Sequence, residues 1–188
     1  MILASKSPRR RELLSSCGVD FFIESAESDE LENLCGRAIN FLPQENALLK
    51  AAAVAEKYPD ETVLGADTLV LLDGKALGKP GSEKEAENML RSLSGKTHAV
   101  VTGIAFVCIR KKICDVQHRI SYVTFKKLSD EIIKEYIKKV YTLDKAGSYA
   151  IQEHGEMIIE KLDGELENVI GLPISAVLTA VNKYVNKV

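Results

Sequence analysis

Asp67 is the residue that most invites chemistry, because it is the only charge in the run Thr62–Leu72, TVLGADTLVLL. A stretch so rich in Val, Leu and Thr reads as a largely buried strand. A carboxylate there loses solvation and needs a hydrogen-bond donor, a cation or a metal in compensation. Asp73-Gly74 follows as a two-residue turn signal, in which Gly74 suits the positive φ of a type I′ hairpin. With that turn Leu72 falls opposite Lys75, and Lys79 roughly opposite Thr68, beside Asp67. One hairpin would then present a carboxylate and an ammonium close together, either for work on a phosphate ester or as an ion pair that only steadies the hairpin. The segment Gly74–Pro80 is not a Walker loop: three residues rather than four separate its glycines, and Pro80 stands where that motif needs a metal-binding Ser or Thr.

A second group of candidates opens the chain, Ser5-Lys6-Ser7-Pro8-Arg9-Arg10-Arg11. Ser7 suits a helix N-cap and Pro8 the first helical position. Arginines in a first turn oppose the helix dipole, which favours negative charge at that end. An anion resolves the conflict: free backbone N–H groups, the serine-bearing loop around Ser5 and guanidiniums together make a phosphate cradle. Successive helical residues point about 100° apart, so at most two of the arginines can face one ligand. The competing reading is a solvated basic turn. Lys50 is the one cation on the alanine-rich face of a predicted helix over Gln44–Tyr58, there either for function or as a snorkelling side chain. Asp29 and Glu30, in the acidic run Glu24–Glu32, could supply a metal carboxylate, although such runs are usually solvated loops. The loop Asp144–Gln152 is unusually polar for its surroundings.

The elements that must position these residues alternate along the chain. Strands are expected at Met1–Ala4 and Val19–Ile23, then the hairpin already described. Ser82-Glu83-Lys84-Glu85 is a capping box opening a helix that Gly95 stops. Ala99–Ile109 and Ile113–Phe125 form a long hairpin around Arg110-Lys111-Lys112, Ser129 caps a helix to about Lys139, Met157–Leu162 is a strand, and Ile174–Val185 the last helix. Interleaved helices and strands with two hairpins make an α/β protein with a mixed sheet. At 188 residues and 46% hydrophobic the chain is long enough for one substantial core or two small lobes sharing a sheet, organised as a single domain over 1–188. A net charge of −2 leaves no electrostatic footprint for duplex nucleic acid. Four cysteines, at 17, 35, 108 and 114, form no CxxC pair, and the histidines at 98, 118 and 154 are scattered, so neither a zinc site nor a disulfide framework is expected. There is no apolar leader and no run of membrane-spanning length; the cytoplasm is the expected compartment.

Six segments in order carry a family resemblance: Ser5-x-Ser7-Pro8-Arg9-Arg10-x-Glu12-Leu13-Leu14, Gly65-Ala66-Asp67-Thr68, Gly78-Lys79-Pro80, Leu93-Ser94-Gly95, Asp144-Lys145-Ala146-Gly147-x-Tyr149-x-Ile151-Gln152 and Val169-x-Gly171-Leu172-Pro173. Together they resemble the Maf family of nucleoside triphosphate pyrophosphatases, nearly end to end. The resemblance implies an enzyme that hydrolyses a nucleoside triphosphate to the monophosphate and pyrophosphate with a divalent cation, Mg²⁺ or Mn²⁺. It implies an inosine-triphosphatase-like fold, a mixed twisted sheet with flanking helices in two lobes around a cleft, often as a homodimer. Asp67 would be the proton acceptor or a metal ligand, with Glu30 as a second carboxylate. Lys50 and Lys79 would lie in the pocket. On charge alone, Lys50, Lys79 and Arg10 would hold phosphate oxygens. Arg9, Thr68 and Gln152 match the positions that separate subfamilies, and resemble the dTTP and UTP set rather than the branch associated with 7-methyl-GTP. The family's association with septum formation leaves a nucleotide-sensing regulator of division as the non-enzyme alternative. Glu153-His154-Gly155 departs from the small residues that relatives often have after the glutamine, which bears on the shape of that loop.

Overall fold

The computed structural model describes residues 1–25, 31 and 38–185. Among the described residues seven strands form one mixed sheet: β1 (Ile2–Ala4), β2 (Phe22–Ile23), β3 (Val63–Leu72), β4 (Lys75–Leu77), β5 (Thr97–Cys108), β6 (Ile113–Phe125) and β7 (Ile159–Asp163). Their order is β2-β1-β3-β5-β6-β7, with β4 added to β3. β1 pairs in parallel with β2 and β3, whereas β4 pairs antiparallel with β3, and β7 with β6. The helices are α1 (Pro8–Ser16), α2 (Leu42–Lys57), α3 (Glu83–Leu93), α4 (Asp130–Lys139), α5 (Gly155–Ile158), α6 (Leu166–Ile170) and α7 (Ile174–Tyr184). The turn chemistry behaves as the sequence expects. Asp73 and Gly74 both have positive φ, 51° and 75°, and Leu72 pairs with Lys75. The Ser82 hydroxyl accepts from the Glu85 N–H and the Ser129 hydroxyl from the Ile132 N–H, capping α3 and α4. Gly95, at φ 68°, ends α3.

Three local expectations need correction. The strand expected over Val19–Ile23 pairs with β1 only at Phe22 and Ile23. Ser7 occupies the N-cap position of α1 without a side-chain cap bond; its own N–H donates to the Ser5 hydroxyl at 3.2 Å, so the serine two residues upstream does the local bonding. The strand expected from Met157 begins at Ile159, because Gly155–Ile158 forms a single helical turn first.

The chain divides into two compact units. The first comprises 1–68, 102–119 and 171–188, and the second 69–101 and 120–170. In the first, Leu3, Leu64, Ile104 and Phe106 pack with Leu14 of α1 and with Val177 and Val181 of α7. A second cluster there sets Ile2, Val63 and Ala105 against Ala47, Ala51, Val54 and Ala55 of α2. The small residues of α2 are what let it lie close to the strands. A Cβ at Gly65 would overlap the Ala47 carbonyl oxygen, and one at Gly103 would overlap the Pro43 carbonyl group. In the second unit Val70, Leu72, Val100, Val123 and Phe125 pack with Leu90, Leu93, Ile133 and Tyr136.

Candidate active site

The close approach of α2 to β3 delivers Asp67's partners. Asn46 and Lys50 are one helical turn apart and so share a face of α2, and both reach the carboxylate. The Lys50 ammonium lies 2.7 Å from Asp67 Oδ1, with the two side chains only 12% and 15% exposed. Asn46 Nδ2 donates to Asp67 Oδ2 at 3.4 Å. The rest of the Asn46 amide, on a residue 3% exposed, is used on the backbone of one residue: Oδ1 accepts from the Leu31 N–H at 2.8 Å and Nδ2 donates to the Leu31 carbonyl at 3.1 Å. The desolvated carboxylate is thus compensated from the helix. This corrects the expectation that Lys79 completes the pair through the hairpin. The ladder between β3 and β4 ends at Val70–Leu77, and Lys79, exposed, follows two residues beyond the last strand residue.

Alternation along β3 sends the next side chain the other way. The Thr68 hydroxyl accepts from Arg10 Nη2 at 3.0 Å and bonds Thr102 Oγ1 at 3.1 Å. The same guanidinium donates through Nε to the Gly171 carbonyl at 2.8 Å and through Nη1 to Ser5 Oγ at 3.4 Å. Gly171, at φ 126°, adopts a backbone conformation that side chains rarely take, and a Cβ there would sit 3.3 Å from Thr68 Oγ1 and 3.5 Å from Arg10 Nε. Of the three arginines, Arg10 therefore braces β1, β3 and the approach to α7, Arg9 is half-buried, and Arg11 is exposed.

The second unit holds the other two candidates, and joins the segments that carry them. The Gly147 N–H donates to the Gly78 carbonyl at 3.0 Å, tying the residue before Lys79 to the loop that leads to Gln152. Gly147, at φ 70°, packs so closely on Val70 that a Cβ would meet its side chain at 3.1 Å. Gln152 itself is exposed in the turn before α5. In the same unit the buried His98 bonds the Tyr149 hydroxyl at 2.7 Å, and burial pushes the imidazole down to about 4 and the Tyr149 phenol up.

Among the described residues no three His, Cys, Asp or Glu side chains gather as a metal cluster. Asp67 supplies one carboxylate, which fits a magnesium-like ion that draws its remaining ligands from substrate phosphates and water. Glu30, expected as the second carboxylate, lies outside the described residues, as do Asp29 and Cys35. Cys17, Cys108 and Cys114 are free thiols. No described helix is long and apolar enough to cross a membrane.

The Maf-like protein family matches residues 1–184. The chain belongs to that family. Three Maf-like relatives carry the name dTTP/UTP pyrophosphatase: one from Akkermansia muciniphila is 48% identical, covering 97% of this chain and 95% of that protein, one from Clostridioides difficile 42% identical, covering 98% and 94%, and one from Bacillus velezensis 40% identical, covering 98% and 96%. Among solved structures, the Staphylococcus aureus Ham1 protein superposes with a TM-score of 0.57 over 97% of each chain at 15% identity, a likeness of fold alone. The Maf-like chain thus has the mixed-sheet, inosine-triphosphatase-like architecture that its motifs imply.

Proposed function

We propose that this Maf-like protein hydrolyses dTTP and UTP to the monophosphate and pyrophosphate. The observation that carries the reading is Asp67, a carboxylate in an otherwise uncharged strand, with its two oxygens engaged by Lys50 and Asn46. In this reading a water attacks the α-phosphorus, its proton passes to Asp67, and the bond to the β-phosphate oxygen breaks as pyrophosphate leaves. Lys50 fixes the carboxylate's orientation and lends positive charge beside the phosphates, where charge develops in the transition state. Asp67, with Glu30, would hold a divalent cation, Mg²⁺ or Mn²⁺. Such an ion supplies charge neutralisation on the phosphate oxygens. Arg10 keeps Ser5, Thr68 and Gly171 in place, and with Lys50 and Lys79 it would hold phosphate oxygens through charged hydrogen bonds. The cytoplasm, where nucleoside triphosphates are made and used, is the proposed compartment.

The relatives' shared name supports pyrimidine substrates, and the Arg9, Thr68 and Gln152 combination agrees with it. Uracil and thymine present two carbonyl acceptors flanking one N–H donor, an edge that a Gln152 carboxamide reads with its oxygen and its NH₂. Cytosine replaces one of those carbonyls by an amino group, so CTP should be the poorer substrate. The test is pyrophosphate release by purified protein with Mg²⁺ across dTTP, UTP, CTP, GTP, ATP and 7-methyl-GTP. The expected result is preferential turnover of dTTP and UTP. Equal turnover of CTP or GTP removes the base assignment, and no pyrophosphate from any of them removes the enzyme and favours the regulator.

A further inference from the structure

The loop from Asp144 to His154 is held far more tightly than a surface connection requires. Gly147, Ser148 and His154 all have left-handed backbones, with φ of 70°, 65° and 55°. Two of these are not glycine, and such residues persist only where their surroundings over-determine them. Lys145, its side chain 6% exposed, supplies part of that constraint. Its ammonium donates to the Tyr141 carbonyl at 2.6 Å and to Asp144 Oδ1 at 2.9 Å, and forms an ion pair with Glu153 Oε1 at 3.3 Å. One buried cation thus closes the loop on itself, from its first residues to the neighbour of Gln152. The polar Glu153, a departure from the small residues expected there, is what makes the closure.

Two further side chains hold the segment between. The buried Tyr136 hydroxyl, from α4, accepts from the Ala150 N–H at 3.0 Å and donates to the Ala150 carbonyl at 3.2 Å. His98, from β5, bonds the Tyr149 hydroxyl, and Phe125 packs edge-on against both rings. Residues 149, 150 and 153 are therefore each fastened, while Gln152 among them is exposed and carries both a donor and an acceptor for a base edge.

We propose that Lys145, Tyr136 and His98 are positioning residues for substrate selection, holding Gln152 in the single placement that distinguishes uracil from cytosine. The inference rests on the reading of Gln152 given above. A carboxamide has an oxygen and an NH₂ at its tip, so one free to move and turn over pairs with either pyrimidine. Discrimination then depends on where its backbone is fixed, and a loop ordered before binding does not lose that order's entropy when substrate arrives.

The experiment compares kcat/KM for UTP and CTP in wild type, Tyr136→Phe, Lys145→Met, Gln152→Leu and the double variant Tyr136→Phe/Gln152→Leu, with folding checked by circular dichroism. Tyr136→Phe keeps the ring and deletes the hydroxyl that clamps Ala150. The expected result is a roughly two- to tenfold fall in the UTP over CTP ratio, expressed in the KM for UTP more than in kcat. Lys145→Met moves the ratio the same way and carries the test if Tyr136→Phe fails to fold. In the double variant the tyrosine change lowers the ratio no further, since the group it positions is gone; a purely structural clamp would cost stability without touching the ratio. Folded Tyr136→Phe and Lys145→Met with the wild-type ratio, alongside a lowered ratio in Gln152→Leu, overturn the positioning role alone. An unchanged ratio in Gln152→Leu overturns the reading of that residue and this inference with it.

Discussion

Asp67→Asn, Lys50→Met and their combination separate the catalytic from the structural meaning of the central ion pair. At a separation of 2.7 Å the attraction is about 6 kcal/mol with an effective dielectric constant of about 20. Desolvation of both groups offsets most of that, leaving roughly the 1.5 to 3 kcal/mol of a charged hydrogen bond. Lys50→Met strands a carboxylate that is 15% exposed. A fully buried orphan costs about 3 to 5 kcal/mol, and partial access to water brings the expected loss here to about 2 to 3 kcal/mol. For a chain of 188 residues that is a drop in Tm of roughly 5 to 10 °C. Asp67→Asn leaves the ammonium facing an amide oxygen and should cost less, about 1 to 2 kcal/mol. The double variant should lose less than the sum of the singles by about 1.5 to 3 kcal/mol, because neither charge is stranded. Activity behaves differently. Asp67→Asn should lower kcat by roughly 10²- to 10⁴-fold, and the double variant should recover none of it. The assays are calorimetric Tm and pyrophosphate release from UTP. Two outcomes refute the reasoning: Asp67→Asn with more than about a third of wild-type kcat, which takes the base away from Asp67, or fully additive stability losses, which means the two charges do not act as a pair.

Gly65→Ala tests whether the close seating of α2 matters to the chemistry. The added methyl would overlap the backbone of Ala47 rather than a movable side chain, so α2 must withdraw, with an expected loss of roughly 1 to 3 kcal/mol and a fall in kcat as Asn46 and Lys50 retreat from Asp67; wild-type kcat in this variant would show that the spacing is irrelevant. His98 predicts a pH effect. Burial lowers it from 6.5 to about 4, so the unfolded chain binds the proton at higher pH than the folded one. Its contribution to stability is complete above about pH 6.5 and is lost as pH falls toward 4, by about 2 kcal/mol at pH 5 relative to pH 8. Urea unfolding at those two pH values should show the drop, and His98→Gln should flatten that part of it; an equal drop in the variant assigns the effect to other groups.

The elements governed by local chemistry were legible in the sequence, and the partner of Asp67 was not. Asp73-Gly74, Ser82, Gly95 and Ser129 act through their own backbone neighbours, so the residue types alone place the turn, the caps and the stop. The hairpin register was legible for the same reason. Extending that register to Lys79 failed because the pairing ends at Leu77. The true partners come from a helix whose distance from β3 depends on two glycines far apart in sequence, Gly65 and Gly103. The usable signal was the spacing of Asn46 and Lys50, two polar side chains four residues apart on an alanine-rich helix, a pattern that marks a shared face. Asn46 was missed because an amide carries no charge to draw attention. Its place is nonetheless informative, since it joins the Leu31 backbone, next in sequence to Glu30, to the Asp67 carboxylate.

Asp67 and Thr68 show why adjacent residues of one motif need not share a task. Strand alternation points the acid at α2 and the hydroxyl at Arg10 and Thr102. On the acid's side an ammonium and an amide NH₂ donate to the carboxylate and compensate its burial. The hydroxyl's side is a brace, in which Arg10 spans Ser5, Thr68 and the Gly171 carbonyl in the fork geometry that a guanidinium provides and an ammonium does not. Thr68 is therefore tied into that brace by Arg10 and Thr102, and the two residues of one motif serve different partners on the two faces of β3.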